Sequence, residues 1–304
     1  MGKTAFIFPG QGAQYCGMGK DFFESFDTAK KVYAQAGEAT GLDVAELCFT
    51  ENDRLNITEY TQIAMLATEV AILKVLEEKG IKADCAAGLS LGEYGALAAA
   101  DVMELPQLFW LIRCRGIYMQ EAYPEGGAMT AVLGLGADVI RNICAETAGI
   151  VAIANDNCPG QIVITGEAQA VQDASERLLN AGAKRCIPLN VSGPFHSSLL
   201  AGAGKKLAAE LEGITVKRPR IPYICNVEAS YVTESAPIKE LLTKQVSSTV
   251  RWRETMERML ADGVDTFIEI GPGKTLAGFL RKMSRDVKVI NIGKVEDMAA
   301  LETL

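Results

Sequence analysis

Residues Gly88-Leu89-Ser90-Leu91-Gly92 form a G-x-S-x-G sequence, and their surroundings give the pattern meaning. The apolar run Ala83 to Leu89 reads as a short buried strand, and Leu91 to Met103 reads as an Ala-rich helix. A strand running in, a glycine-flanked serine and a helix running out are what a nucleophile elbow requires. The glycines permit a sharp turn, so the serine oxygen projects above the sheet. The helix N-terminus and the backbone N–H of Leu91 then lie where an oxyanion would develop. A capping serine at an ordinary strand-to-helix turn is the plainer alternative. A serine hydroxyl is a weak nucleophile near neutral pH and needs a base. The chain contains one histidine, His196, in the stretch Val191-Ser192-Gly193-Pro194-Phe195-His196-Ser197. If imidazole activates Ser90, His196 must supply it. Alone it would read as a loop histidine.

The third member of a triad is open. Asp101, Asp138, Asp156 and Asp173 lie between Ser90 and His196, and none stands where the acid of an α/β-hydrolase belongs. Two glycine-rich stretches suggest nucleotide binding but are incomplete. Gly10-Gln11-Gly12-Ala13-Gln14-Tyr15 lacks the third glycine of a dinucleotide fingerprint. Gly271-Pro272-Gly273-Lys274-Thr275 ends like a phosphate loop, but Ile268 stands where the first glycine belongs. Both read as tight strand-to-helix turns, and the first can still turn backbone N–H groups toward a substrate.

The elements that would position these residues alternate along the chain. Lys3 to Phe8 reads as a strand, Asp21 to Gly37 as one helical stretch, Thr61 to Lys79 as a strong helix and Leu105 to Gln120 as another. The character changes near Pro124-Glu125-Gly126-Gly127. Strands at Ala128–Leu133, Ile150–Ala154, Gln161–Thr165 and Lys184–Leu189 alternate with helices at Ala137–Thr147 and Ala168–Asn180, with Asn155 to Gly160 as a connecting loop. That βαββαβ order is ferredoxin-like. Afterwards α/β alternation resumes, with helices at Leu199–Glu212, Ile238–Lys244 and Trp252–Asp262, and strands at Ile221–Asn226, Thr266–Ile270 and Val287–Ile290. The fold class expected is α/β. Residues 1–123 and 191–304 would form a large domain with a mostly parallel sheet, and residues 124–190 an inserted ferredoxin-like subdomain.

Composition narrows the function. A formal net charge of −8 disfavours nucleic acid as a partner, because phosphate binding needs a basic face. The eight cysteines are scattered and form no CxxC pair, so neither zinc nor a thioredoxin-like motif is indicated. The N-terminal MGKTAFIFPGQG lacks the apolar core of a signal peptide, and no apolar run reaches the ~18 residues of a membrane span, so a cytoplasmic, membrane-free protein is expected.

Taken in order, these pieces resemble the malonyl-CoA:acyl carrier protein transacylases. Phe8-Pro9-Gly10-Gln11-Gly12-Ala13-Gln14 resembles that family's FPGQGxQ, Thr61-Gln62 its TQ helix and Gly88 to Tyr94 its nucleophile motif. Arg115-Gly116 with Met119-Gln120 resembles RGxxMQ, and Asn157 to Gly166 resembles N-x-PGQ-x-V-I-x-G. Pro194-Phe195-His196-Ser197 resembles PFHS; Lys244-Gln245-Val246, Val250-Arg251-Trp252 and Glu269-Ile270-Gly271-Pro272-Gly273 complete the set. Leu89 stands where the family usually has histidine, and Gly193 and Ser198 stand where valine and proline are common.

The resemblance implies an acyltransferase of fatty acid biosynthesis. Ser90 would take malonyl from malonyl-CoA as an ester, with His196 as base, and the phosphopantetheine thiol of acyl carrier protein would then take it away. The backbone carbonyl of Gln245 would orient His196, which would account for the missing acid. Backbone N–H groups of Gln11 and Leu91 would form the oxyanion hole, and Arg115 would clamp the malonyl carboxylate. Guanidinium suits that role, since it makes two parallel charge-assisted bonds to a carboxylate. No bound cofactor or metal is implied; malonyl-CoA is substrate. An acidic carrier would dock on a basic patch, with Lys184-Arg185 and Arg281-Lys282 with Arg285 as candidates. A serine esterase or thioesterase, a malonyl loader for a polyketide pathway, and a nucleotide-binding or scaffold protein are the rival readings.

Overall fold

In the computed structural model, residues 2–191 and 193–303 are described; Ser192, in the stretch before His196, lies outside them. The chain opens with β1 (Lys3–Phe8), α1 (Lys20–Ser25), α2 (Asp27–Thr40), α3 (Val44–Phe49) and α4 (Thr58–Glu78). Next come β2 (Cys85–Gly88), α5 (Gly92–Ala99) and α6 (Leu105–Ala122). Then follow β3 (Gly127–Leu133), α7 (Ala137–Glu146), β4 (Val151–Cys158), β5 (Gln161–Glu167), α8 (Ala168–Asn180) and β6 (Arg185–Pro188). The remainder comprises α9 (Ala201–Glu212), β7 (Tyr223–Ile224), β8 (Tyr231–Val232), α10 (Ile238–Gln245), α11 (Trp252–Ala261), β9 (Val264–Ile270), α12 (Thr275–Leu280) and β10 (Lys288–Ile292).

These strands build two sheets. One has the order β10-β9-β1-β2-β7-β8 and is parallel except for the β7–β8 hairpin at its edge. Its central strands are apolar on both faces, as β1 shows in Ala5-Phe6-Ile7-Phe8, because helices cover both sides. Helix α4 is apolar nearly all round and is correspondingly buried along most of its length. The second sheet has the order β4-β5-β3-β6 and is antiparallel, with α7 and α8 packed on it through a separate apolar cluster around Ile140, Ile164 and Leu178.

Several elements differ from the sequence-based expectation. The helix expected over Asp21 to Gly37 is two helices, broken at Phe26, whose backbone is extended (φ −132°, ψ 125°). The break keeps Phe22 in the core while α2 redirects Val32, Tyr33 and Ala36 into it. The helix expected to reach Met103 stops at Ala99, and Asp101 takes the left-handed conformation (φ +53°) that short polar side chains tolerate. Asn155 to Cys158 is strand rather than loop. Its backbone is tied in, since Asp156 N–H donates to the Val250 carbonyl and Val250 N–H donates to that of Ala154; the buried Asp156 pairs with Arg253 at 3.0 Å. The turn shrinks to Pro159-Gly160. Of the strand expected over Ile221 to Asn226, only Tyr223–Ile224 pairs.

The carboxyl ends of β1, β2, β7 and β9 converge on one side of the large sheet. In open α/β sheets that edge is where ligands bind. Among the described residues, no helix is long and apolar enough to cross a membrane.

Candidate active site

The β2–α5 turn makes the elbow expected at Ser90. The backbone of Ser90 is left-handed (φ +56°), a conformation that costs a non-glycine residue free energy and must be held by its surroundings. The flanking glycines are required by contact. A Cβ on Gly88 would sit 1.9 Å from the Gly92 carbonyl oxygen, and one on Gly92 would sit 2.2 Å from that of Phe8.

Ser90 Oγ lies 2.7 Å from His196 Nε2. The other ring nitrogen, Nδ1, faces two backbone carbonyls, Gln245 at 2.9 Å and Ser248 at 3.1 Å. Carbonyl oxygens only accept, so Nδ1 carries the proton and Nε2 presents its lone pair to the serine hydroxyl. The Gln245 carbonyl is where the sequence reading puts it. Ser248 is a second acceptor that no motif singles out; it follows from the turn after α10 closing over the ring. His196 is buried, and desolvation followed by the nearby Arg115 charge lowers its pKa to about 4. The imidazole is therefore neutral at physiological pH and free to accept a proton.

Arg115 comes from α6 and is 1% exposed. One terminal nitrogen donates to the Gln62 amide oxygen at 2.6 Å. The other donates to Ser90 Oγ at 3.1 Å and the Gln245 amide oxygen at 3.0 Å. Its Nε–H has no partner. Among the described residues no carboxylate forms an ion pair with it, and desolvation pulls its pKa below the usual value. Arg113, two residues away on the same helix, shows the contrast. It pairs with Glu59 at 2.8 Å and lies over the Tyr60 ring. Gln62 entered the sequence reading only through the resemblance of Thr61-Gln62 to a TQ helix, and its partner Arg115 was not foreseen.

Gln11 and Leu91 both line the cleft beside Ser90, Arg115 and His196. The cleft holds about 270 Å³ and lies between the two sheets. Met119 and Met129, Val163, Phe195 and Phe279 make much of its wall apolar, and Asn155, Asn157 and Gln161 add polar groups from β4 and β5. Leu89, where the resemblance would have histidine, is part of the same wall. Among the described residues no group of three or more His, Cys, Asp or Glu side chains is placed to hold a metal.

A serine hydroxyl bonded to a neutral imidazole, with a guanidinium that has no carboxylate partner beside it, can accept an acyl group and pass it on. The class so defined is that of enzymes that transfer acyl groups through serine. Comparison with known proteins shows the family without reference to these side chains. The family described as an acyl transferase domain matches residues 5–300, and the chain belongs to it. It is 44% identical over 310 aligned residues to the malonyl CoA-acyl carrier protein transacylase of Bacillus subtilis strain 168, covering 100% of this chain and 98% of the relative. The crystal structure of the Streptococcus pneumoniae MCAT superposes with a TM-score of 0.96 at 45% identity, covering 99% of this chain and 100% of that one. A malonyl-transacylase solved in complex with a type II PKS acyl-carrier protein gives 0.96 at 40% identity, with 99% and 100% covered.

Proposed function

We propose that this enzyme transfers malonyl from malonyl-CoA to the phosphopantetheine thiol of acyl carrier protein in fatty acid biosynthesis, by way of an ester on Ser90. The observation that carries the reading is Arg115, a buried cation with amide oxygens for neighbours, 3.1 Å from the nucleophile. A desolvated cation is costly unless paired. The acyl group that completes this site brings its own carboxylate, placed at the far end of a short chain from the carbonyl under attack. Malonyl meets that description and acetyl does not.

The chemistry runs in two halves. His196 Nε2 takes the Ser90 proton as Oγ adds to the thioester carbonyl. Backbone N–H groups of Gln11 and Leu91 stabilise the oxyanion. The C–S bond breaks, and coenzyme A leaves with the proton returned from His196. In the second half a carrier thiol gives its proton to His196, its sulfur attacks the ester, and Ser90 leaves as a hydroxyl. The two carbonyls at Nδ1 fix the ring and stabilise the transient imidazolium, the task an acid performs in a hydrolase triad. Serine, imidazole, guanidinium and backbone N–H supply every group used, and no resident cofactor enters.

The two sheets correspond to two domains in this reading. The large one comprises residues 1–123 and 191–304 and is α/β-hydrolase-like. The smaller comprises 124–190, and its four antiparallel strands follow the ferredoxin-like order. The carrier would approach over the cleft between them. Exposed Arg281, Lys282 and Arg285 follow α12, and Lys282 bonds the cleft residue Gln161 at 2.9 Å. Exposed Lys184 and Arg185 are tied to the end of β3, where Lys184 N–H donates to the Leu133 carbonyl at 2.8 Å and the next residue, Gly134, donates its N–H to the Gly160 carbonyl at 2.9 Å. Incubation with labelled malonyl-CoA and carrier protein tests the function. Label on the carrier thiol is expected. Label released to water would favour a thioesterase.

A further inference from the structure

Something must hold the strained Ser90 backbone against relaxation. On one side β1 pairs as far as Gly88, and Leu89 N–H donates to the Phe8 carbonyl at 3.0 Å, but on the other side the regular ladder gives no support. The pairing of β2 with β7 ends at Ala87 and Ile224, short of the elbow. Beyond it, Asn226 is wholly buried and turns its side-chain amide toward the turn. Asn226 Nδ2 donates to the Gly88 carbonyl at 2.7 Å, and its Oδ1 accepts the Ser90 N–H at 2.7 Å. One side chain thus bonds the residue on each side of Leu89. It satisfies two backbone groups that the turn would leave orphaned.

The Asn226 backbone is itself held on both sides. Its backbone N–H donates to Glu93 Oε2 at 3.1 Å, and its carbonyl accepts the Arg251 N–H at 3.0 Å. Glu93 Oε2 also accepts Gln245 Nε2 at 2.7 Å. Gln245 Nε2 in turn reaches the Ser90 carbonyl at 2.9 Å, so both backbone groups of the nucleophile end in the same buried network. Burial pushes the Glu93 carboxyl up to about 7, while the bonds from Gln245 and Asn226 pull it down.

We propose that Asn226 is a positioning residue for the nucleophile, its amide clamping Gly88 and Ser90 so that the hydroxyl stays in line with His196. It touches neither substrate nor the reacting oxygen. Its action is on where Ser90 stands, in both half-reactions.

The inference rests on Ser90 being the acylated residue, and the test separates the two. Asn226→Ala and the isosteric Asn226→Asp are compared with the parent in single-turnover acylation by malonyl-CoA, in deacylation by coenzyme A, and in thermal unfolding. Asp retains an acceptor for Ser90 N–H but loses the donor to Gly88. Displacement of a reacting group by a fraction of an ångström to 1 Å costs roughly 10–100-fold in rate. The result expected is a fall of that order in both half-reactions, with KM for malonyl-CoA unchanged within about twofold and cooperative unfolding retained. Rates within about threefold of the parent would overturn the proposal. So would a raised KM at unchanged kcat, which would assign Asn226 to substrate binding. Failure of both variants to fold would overturn it too, by making Asn226 a residue of the fold alone. A parent that malonyl-CoA does not acylate at Ser90 would defeat the functional reading instead.

Discussion

Replacing Arg115 by alanine should separate malonyl from acetyl. The guanidinium is almost wholly buried and has amide oxygens and the nucleophile as partners, so the malonyl carboxylate would be its one direct counter-charge. Losing one partner of such a desolvated, hydrogen-bonded pair costs roughly 2–5 kcal/mol. At about 1.4 kcal/mol per decade, malonyl loading should fall between about 30-fold and several thousand-fold. Acetyl-CoA presents a methyl group to the same position. In the parent it leaves Arg115 unpaired, and in Arg115→Ala that penalty disappears. Acetyl loading should therefore hold or rise while malonyl loading collapses. Arg115→Lys should fall between, since it keeps a charge but loses the planar fork that reaches Gln62 and Gln245 together. Single-turnover acylation with each thioester, followed by intact mass, reads both rates. An equal loss for the two acyl groups would refute the carboxylate role and leave Arg115 a scaffold for Ser90 and Gln245.

Other perturbations follow from the same network. His196 must be neutral to act, so acylation by the free enzyme should rise with pH through about 4 and stay level across neutrality; a kcat/KM profile with its acid limb near 6.5, the ordinary imidazole value, would contradict this. In Arg115→Ala that limb should move upward, because the guanidinium is one cause of the depression. Glu69 is buried in α4 with both carboxyl oxygens unpartnered, and desolvation, then the Glu269 charge, holds its pKa well above the usual value. A raised folded pKa means stability present below the unfolded value of about 4.5 and lost as pH rises through the folded one. Glu69→Met should thus raise the melting temperature at pH 8 and do little near pH 4, and an equal or opposite effect at pH 8 would refute it. Charge reversal at Arg281 and Lys282 should slow transfer to carrier protein more than transfer to free coenzyme A, read as kcat/KM for each thiol; equal loss would place docking elsewhere.

Ser90 and His196 were legible because each carries its own signal, a serine between glycines at a strand-to-helix junction and the chain's sole imidazole. The elbow itself pointed to the Leu91 N–H, and the resemblance added Arg115, Gln11 and the Gln245 carbonyl. Chain order could not distinguish Arg115 from Arg113, since only the fold gives one a carboxylate and the other none. Polar composition misread Asn155 to Cys158 as a loop, because the partners of Asp156, Val250 and Arg253, lie about a hundred positions downstream. The stretch Asp21 to Gly37 reads as one helix, and the break at Phe26 shows only in the backbone. Ser248 and Asn226 act through a backbone carbonyl and a buried amide, groups whose roles depend on which turn lies opposite.

The central claim is that malonyl rests on the Ser90 hydroxyl between its two carriers. Intact mass spectrometry after brief exposure to malonyl-CoA, with peptide mapping, tests this directly. A single malonyl group on the Ser90 peptide, absent in Ser90→Ala and discharged on adding carrier thiol, is the result expected. Rapid transfer with no adduct on Ser90, or an adduct that persists in Ser90→Ala, would contradict it.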